Sequence, residues 1–268
     1  MDSLRKILAS QLSNLQKLIN PKNDVFIPSP EDFYLVSYPR SGNTWIRVIL
    51  AELMYGEVVA NLAEIEKYIP DLHFALGKKD IIQSEFHIVK SHNPYNSRFN
   101  SKIYKKVIYI IRDPRDVVIS HFRYSKAHGY RNSFEDYIID WVNGRIWPCS
   151  WQEHVHSWVG NSAENKNFNL CIIRYEDLLD DTYNNIRKLI TFIGLQKSYN
   201  EIYTAISNSS LSNMKKKELS GLREGEDKIN MQFIGKGKYG EWRTKLTSPQ
   251  ANLIYDHASK AMKMFNYE

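Results

Sequence analysis

Four short runs of apolar and β-forming residues, each stopping at a polar loop, constrain this chain more than any other feature: Phe33–Tyr38, His87–Lys90, Lys106–Ile111 and Asn169–Arg174. A strand with so little polar alternation has to be covered on both faces, which is the habit of parallel sheets. Helical patterns follow the first run from Asn43 to about Tyr55 and the third from Pro114 onward, and such alternation builds a sheet between two helical layers. The predicted fold class is therefore α/β: a single domain over residues 1–268 with a central, mostly parallel sheet flanked by helices. Leu4, Ile7, Leu8, Leu12, Leu15, Leu18 and Ile19 recur at three-to-four spacing, so residues 1–20 are predicted to form an amphipathic helix packed on the outside of this domain.

A chain of 268 residues, 43% hydrophobic and 25% charged, can bury a sizeable core and does not have a disordered composition. Val107–Ile111 is far too short to cross a bilayer, and the first residues lack the apolar core of a signal peptide, so the expected address is the cytoplasm and no membrane span is expected. Cys149 and Cys171 form no CxxC pair, which fits a reducing compartment; Cys171 reads as a buried strand residue. The net charge of +6 favours an anionic partner. Basic residues are spread along the chain, however, and Lys215–Lys217 reads as a solvated helix face, so nucleic acid is not needed to explain the charge.

Where the apolar runs end, the residues turn to chemistry. In Tyr38-Pro39-Arg40-Ser41-Gly42-Asn43-Thr44-Trp45 a strand gives way to a helix through a glycine turn, and a helix start with unpaired N–H groups is an anion site. Ser41, Asn43 and Thr44 add side-chain donors, Arg40 a cation and Trp45 a flat face for a base; a capped helix with a core tryptophan is the plainer alternative. The segment is not a Walker A loop, since GxxxxGK[ST] is absent. Arg112 at the end of the third run and Ser120 eight residues on can grip one phosphate, or Arg112 can pair with Asp113 or Asp116. Phe233–Trp242, with Gly235, Gly237 and Gly240 among Lys236 and Lys238, reads as a mobile phosphate-covering loop.

These three segments, in this order, resemble the cytosolic-type sulfotransferases, whose corresponding motifs read roughly YPKSGTTW, RNPKDxxxS and RKGxxGDW; the likeness runs from about Phe33 to Trp242. The resemblance implies a sulfotransferase fold with a P-loop-like phosphosulfate loop, and sulfuryl transfer from 3′-phosphoadenosine 5′-phosphosulfate (PAPS) to a hydroxyl or amine of a small-molecule acceptor, leaving 3′-phosphoadenosine 5′-phosphate (PAP). It implies that Arg40, Ser41, Gly42, Asn43 and Thr44 hold the 5′-phosphosulfate, that Trp45 and Tyr175 contact adenine, and that Ser209 and Leu211 lie near the base. Arg112, Ser120, Lys236 and Gly237 would hold the 3′-phosphate. His92, in Lys90-Ser91-His92-Asn93-Pro94, takes the place of the family's general base, with Lys90 and Arg40 stabilising charge on the transferring group. No metal is expected: His154 and His156 fall in a helical pattern, where i and i+2 point apart.

Three departures qualify the resemblance. Arg40 replaces a lysine, a planar fork for a compact charge. Gly235 stands where the family has an arginine, passing 3′-phosphate binding to Lys236, Lys238 or Arg223. The family's dimerisation stretch is matched poorly by Arg243–Asn252, which leaves the oligomeric state open. Segments Tyr68–Leu76, Tyr124–Trp147 and Gly221–Gln232 are expected to wall the acceptor pocket, and Asp71, Asp140, Glu224, Glu226 and Asp227 in them suggest a polar or cationic acceptor. A magnesium-dependent nucleotide kinase and a non-catalytic nucleotide- or nucleic-acid-binding protein are the rival readings.

Overall fold

The computed structural model describes residues 26–75, 78, 80–96, 103–164, 168–221 and 234–267; the helix expected over residues 1–20 lies outside them. Strand β1 (Phe33–Ser37) is buried at every position and pairs in parallel with β2 (Ile88–Ser91) on one side and β3 (Lys106–Ile111) on the other. Strand β4 (Asn169–Arg174) lies beyond β3, giving the order β2-β1-β3-β4, parallel throughout. Phe33 stands opposite both Ile88 and Lys106, and Lys106 opposite Asn169, so the strands start level and their carboxyl ends emerge along one edge.

The two-residue strand period sorts the core into two halves. Tyr34, Val36, Val107, Tyr109 and Ile111 face one layer, built by α4 (Pro114–Ala127), α5 (Phe134–Val142), α6 (Trp151–Glu164) and α12 (Ser248–Met264). Leu35, Ile108, Ile110, Cys171 and Ile173 face the other, built by α1 (Asn43–Tyr55), α8 (Thr182–Ile193), α9 (Tyr199–Asn208) and α10 (Leu211–Ser220). Four shorter helices complete the described elements: α2 (Ile65–Tyr68), α3 (Leu72–Ala75), α7 (Tyr175–Asp180) and α11 (Trp242–Lys245). Local signals set the ends. Ser133 with Asp136 and Thr247 with Gln250 form capping boxes at α5 and α12, while Gly56 and Gly194 close α1 and α8 in the left-handed region.

The expected helix from Asn43 to about Tyr55 and the expected strands are all present, the second running Ile88–Ser91 instead of His87–Lys90. One surface expectation is corrected. Lys217 is not on a solvated face: it is 7% exposed and its ammonium donates to the Val59 carbonyl, because α10 packs its Met214 side into the second core half. No helix of the described residues is long and apolar enough to cross a membrane. From β1 the chain moves to β2 on one flank and then crosses to β3 on the other. Such a switch in strand order opens a crevice at the carboxyl ends of β1 and β3.

Candidate active site

That crevice is a cavity of about 610 Å³, and the loops after all four strands reach it. Tyr38–Gly42 leaves β1 with Arg40 (φ 71°) and Gly42 (φ 95°) both in the left-handed region. Gly42 caps α1 without a side-chain cap, so the first N–H groups of a 13-residue helix, which have no intrahelical partner, open on the cavity. A Cβ on Gly42 would lie 2.6 Å and 2.8 Å from Cδ2 and Cε2 of Tyr175. Tyr175 begins α7 directly after β4, and its ring meets both Gly42 and the Arg112 guanidinium, the latter 4.4 Å from the ring centroid.

Arg112, just past β3, bonds neither Asp113 nor Asp116. Asp113 accepts from Arg115, and Asp116 accepts from the N–H groups of Gly240 and Trp242. Arg112 Nη1 donates to the Arg40 carbonyl (3.2 Å) and Nη2 to the Lys238 carbonyl (3.1 Å), while its Nε has no partner. Asn43 donates to Leu35 O and Ser37 Oγ, so its amide is turned under β1 and its Oδ1 is left unbonded. Ser41 Oγ and Ser209 Oγ are likewise buried without partners, although Ser41 is not among the cavity-lining residues. A buried polar atom left unbonded costs about 1–3 kcal/mol. Several around one cavity fit a ligand rich in hydrogen-bonding atoms.

Arg40 Nε donates to Ser120 Oγ (3.2 Å), joining the β1 loop to α4, and its guanidinium lies 5.4 Å from the Tyr124 ring centroid. Burial and the neighbouring Arg112 charge bring its pKa down to about 10, which keeps it cationic at neutral pH. At the opposite wall Trp45 Nε1 donates to Ser209 O (2.9 Å) and meets Tyr175 edge-on at 6.5 Å, while Leu211 is packed by Gly237. Lys236 pairs with Glu241 (2.9 Å), whose other oxygen takes Arg123 (3.3 Å); Lys238 offers its carbonyl to Arg112; Arg223 lies outside the described residues.

His92 follows β2. Its Nδ1 lies 2.7 Å from Ser37 O, and a carbonyl only accepts, so Nδ1 carries the proton and Nε2 keeps its lone pair. Its own carbonyl accepts from His154 Nε2 (3.2 Å), which leaves His154 Nδ1 to accept from the Tyr109 hydroxyl (2.8 Å). Burial, then the Lys90 charge, hold His92 well below the ordinary imidazole range. Lys90 itself is paired with Asp71 (2.5 Å). Phe74 and Trp147, 55% and 53% exposed, also line the cavity, and Trp147 meets His92 edge-on at 6.1 Å. Among the described residues no group of three His, Cys, Asp or Glu is placed to hold a metal.

All the catalytic and nucleotide-binding residues expected from sequence that lie within the described residues, except Ser41, line this one cavity. Asp140 does not: it pairs with Arg145 and Tyr130 elsewhere, and Glu224, Glu226 and Asp227 lie outside the described residues. Not singled out from sequence are Ser37, which orients the imidazole, His154 and Tyr109, which support the His92 backbone carbonyl, and Arg47, Glu66, His121 and Arg123 on the cavity wall; Trp147 lines it as expected of the Tyr124–Trp147 segment. Ser37 alone carried a signal, as the polar residue near the end of the apolar run Phe33–Tyr38.

A family model described as "Sulfotransferase domain" matches residues 30–266. Human sulfotransferase 2A1 is 31% identical over 242 residues, covering 85% of this chain and 83% of that protein. The rabbit (Oryctolagus cuniculus) amine sulfotransferase is 27% identical over 290 residues, covering 99% and 94%. Mouse sulfotransferase SULT7A1, solved in complex with PAP, superposes with a TM-score of 0.65 at 22% identity over 89% of this chain and 86% of that one, a likeness of fold. With the family match spanning nearly the whole chain and the phosphate-loop geometry in place, the chain belongs to the sulfotransferase family and is a sulfotransferase enzyme.

Proposed function

We propose that this enzyme takes its sulfuryl group from PAPS and transfers it to a hydroxyl or amino group of a small molecule, with His92 as the general base. The observation that carries the reading is the fixed tautomer of His92: Nδ1 is committed to Ser37 O, so a neutral imidazole presents Nε2 as a proton acceptor beside a cavity rimmed by Arg40, Lys90 and Arg112. The residues suit the nucleotide. Unbonded buried atoms of Asn43, Arg112 and Ser209, the open start of α1 and Gly42, against which Tyr175 packs, form the cradle, with the Trp45 and Tyr175 rings at its base-binding end.

When bound, PAPS supplies the electrophilic sulfur and PAP as the leaving group. His92 Nε2 accepts the acceptor's proton as the acceptor's oxygen or nitrogen bonds to sulfur, and the sulfur–oxygen electron pair departs on the 5′-phosphate. Arg40 and Lys90 stabilise the charge that gathers there, and Arg112 with Ser120 and Lys236 holds the 3′-phosphate. Asp71 reaches the cavity only as half of an ion pair, so it gives no separate support to a cationic acceptor. The Walker lysine of a kinase is absent, and neither magnesium nor nucleic acid enters this reading. We read residues 1–268 as one domain and place the protein in the cytoplasm, where its two buried free cysteines stay reduced.

The test is transfer of labelled sulfuryl from PAPS to a panel of phenols, alcohols and amines, with PAP affinity measured by calorimetry. Wild type transfers to at least one acceptor; His92→Ala transfers at least ~100-fold more slowly yet binds PAP normally. Equal turnover by His92→Ala removes the base, and failure of wild type to bind PAP removes the whole reading.

A further inference from the structure

Beside His92, four largely buried charged groups on the cavity wall form a chain of which the mechanism above uses only Lys90. Arg47 of α1 donates to Glu66 Oε1 of α2 (2.9 Å) and to the Ile69 carbonyl; Glu66 Oε2 accepts the Asp71 N–H (2.8 Å); Asp71 Oδ2 accepts Lys90 Nζ (2.5 Å). The Asp71 carboxylate has no freedom to swing, because its Oδ1 caps the N–H of His73 (3.0 Å). Backbone fixes the pair as well: Lys90 N donates to Pro70 O (2.8 Å), and Asp71 and Lys90 form an isolated parallel bridge. The Lys90 and Asp71 side chains are nearly buried, at 12% and 10% exposure.

An ammonium has three protons. One goes to Asp71, and among the described residues no other protein acceptor bonds Lys90 Nζ, which lines the cavity on the same strand face as His92, two residues on. We propose that Asp71 is a positioning residue of the transfer reaction: it holds the Lys90 ammonium charged and still, with two protons left for the transferring group. The proposal rests on the assignment of Lys90 and His92 above.

Charge balance makes Asp71 necessary. The groups facing Lys90 are Arg47 from α1, Glu66 from α2, Asp71 ahead of α3 and His92 at the end of its own strand. Burial already pushes the Lys90 ammonium below its ordinary range, and Asp71 is the nearest group working the other way. Without it a buried cation loses its partner, a change that favours the neutral amine.

The experiment is the pH dependence of kcat, with PAP affinity in parallel, for wild type, Asp71→Asn, Asp71→Glu, Lys90→Met and Asp71→Asn/Lys90→Met. Asp71→Asn is expected to lower kcat about tenfold, move the alkaline limb to lower pH and leave the Kd for PAP within about twofold. Asp71→Glu, which keeps the charge but misplaces it by a methylene, falls between. In the Lys90→Met background Asp71→Asn adds less than about twofold, because the group it positions is gone. A wild-type alkaline limb in Asp71→Asn overturns the proposal, as do effects of the two substitutions that multiply. Should Asp71→Asn fail to fold, an unchanged limb in Asp71→Glu overturns it equally. His92→Ala is run alongside: an active His92→Ala sinks the mechanism itself, whereas an inactive one with an indifferent Asp71→Asn sinks this inference alone.

Discussion

Replacing Gly42 with alanine combines two penalties that the structure separates. The first is backbone: at φ 95° an L-residue sits in the left-handed region, at about 1–2 kcal/mol. The second is contact. The new methyl would stand 2.6 Å from Tyr175 Cδ2, about 1 Å inside ordinary carbon–carbon contact. The ring must move, at about 1–3 kcal/mol for overpacking, and it surrenders its stack on Arg112, about 0.5–1 kcal/mol. Gly42→Ala is thus expected to cost about 2.5–6 kcal/mol. Gly56 supplies the control at the other end of the same helix: its φ is 70° and an added Cβ meets nothing within 4 Å, so Gly56→Ala carries the backbone penalty alone. Urea unfolding followed by tryptophan fluorescence compares the two, and PAP calorimetry reads the cradle, where Gly42→Ala is expected to lose at least about tenfold in affinity (~1.4 kcal/mol) and Gly56→Ala none. If Gly42→Ala is no less stable than Gly56→Ala, or binds PAP like wild type, the packing of Tyr175 on Gly42 does not shape the site.

Arg112→Lys keeps the charge but cannot bond two carbonyls and a ligand from one fork, so PAP affinity should fall at least about tenfold, read by equilibrium dialysis. Ser37→Ala should leave kcat within about fivefold, because the backbone carbonyl at 2.7 Å orients His92 while the hydroxyl lies 3.3 Å away. Burial lowers His121 and His154 to about 3 each. A group whose folded pKa is depressed stabilises above its unfolded value of 6.5 and loses that contribution as pH falls, so going from pH 6.5 to 4.5 should cost about 2 kcal/mol per histidine. Urea unfolding at both pH values checks this; buried His92 adds to the same dependence, so His154→Gln should remove about a third of it.

The strands were readable because burial on both faces leaves an apolar run that local reading detects, and Phe33–Ser37, Lys106–Ile111 and Asn169–Arg174 stand where the residues place them. Arg112, Ser120 and Trp45 could be picked out because each sits at a fixed offset from a strand end. Asp71 with Lys90 and Glu66 with Arg47 could not, since their meaning lies in pairing across 19 residues of sequence, which no local pattern records. For the same reason the imidazole tautomer was hidden, as its determinant is the carbonyl of a residue 55 positions away. Lys217 misled because its burial depends on a carbonyl 158 residues upstream.

The strand order has a consequence for how such an enzyme diversifies. With β1 as the shared spine, the proposed nucleotide contacts Arg40, Gly42, Asn43, Arg112, Ser120 and Tyr175 hang from β1, β3 and β4, whereas Lys90, His92 and the Glu66–Phe74 wall belong to the β2 flank. Mutation can therefore explore new clients on one side while the donor machinery on the other stays untouched, the spine keeping the two registered to within a hydrogen bond.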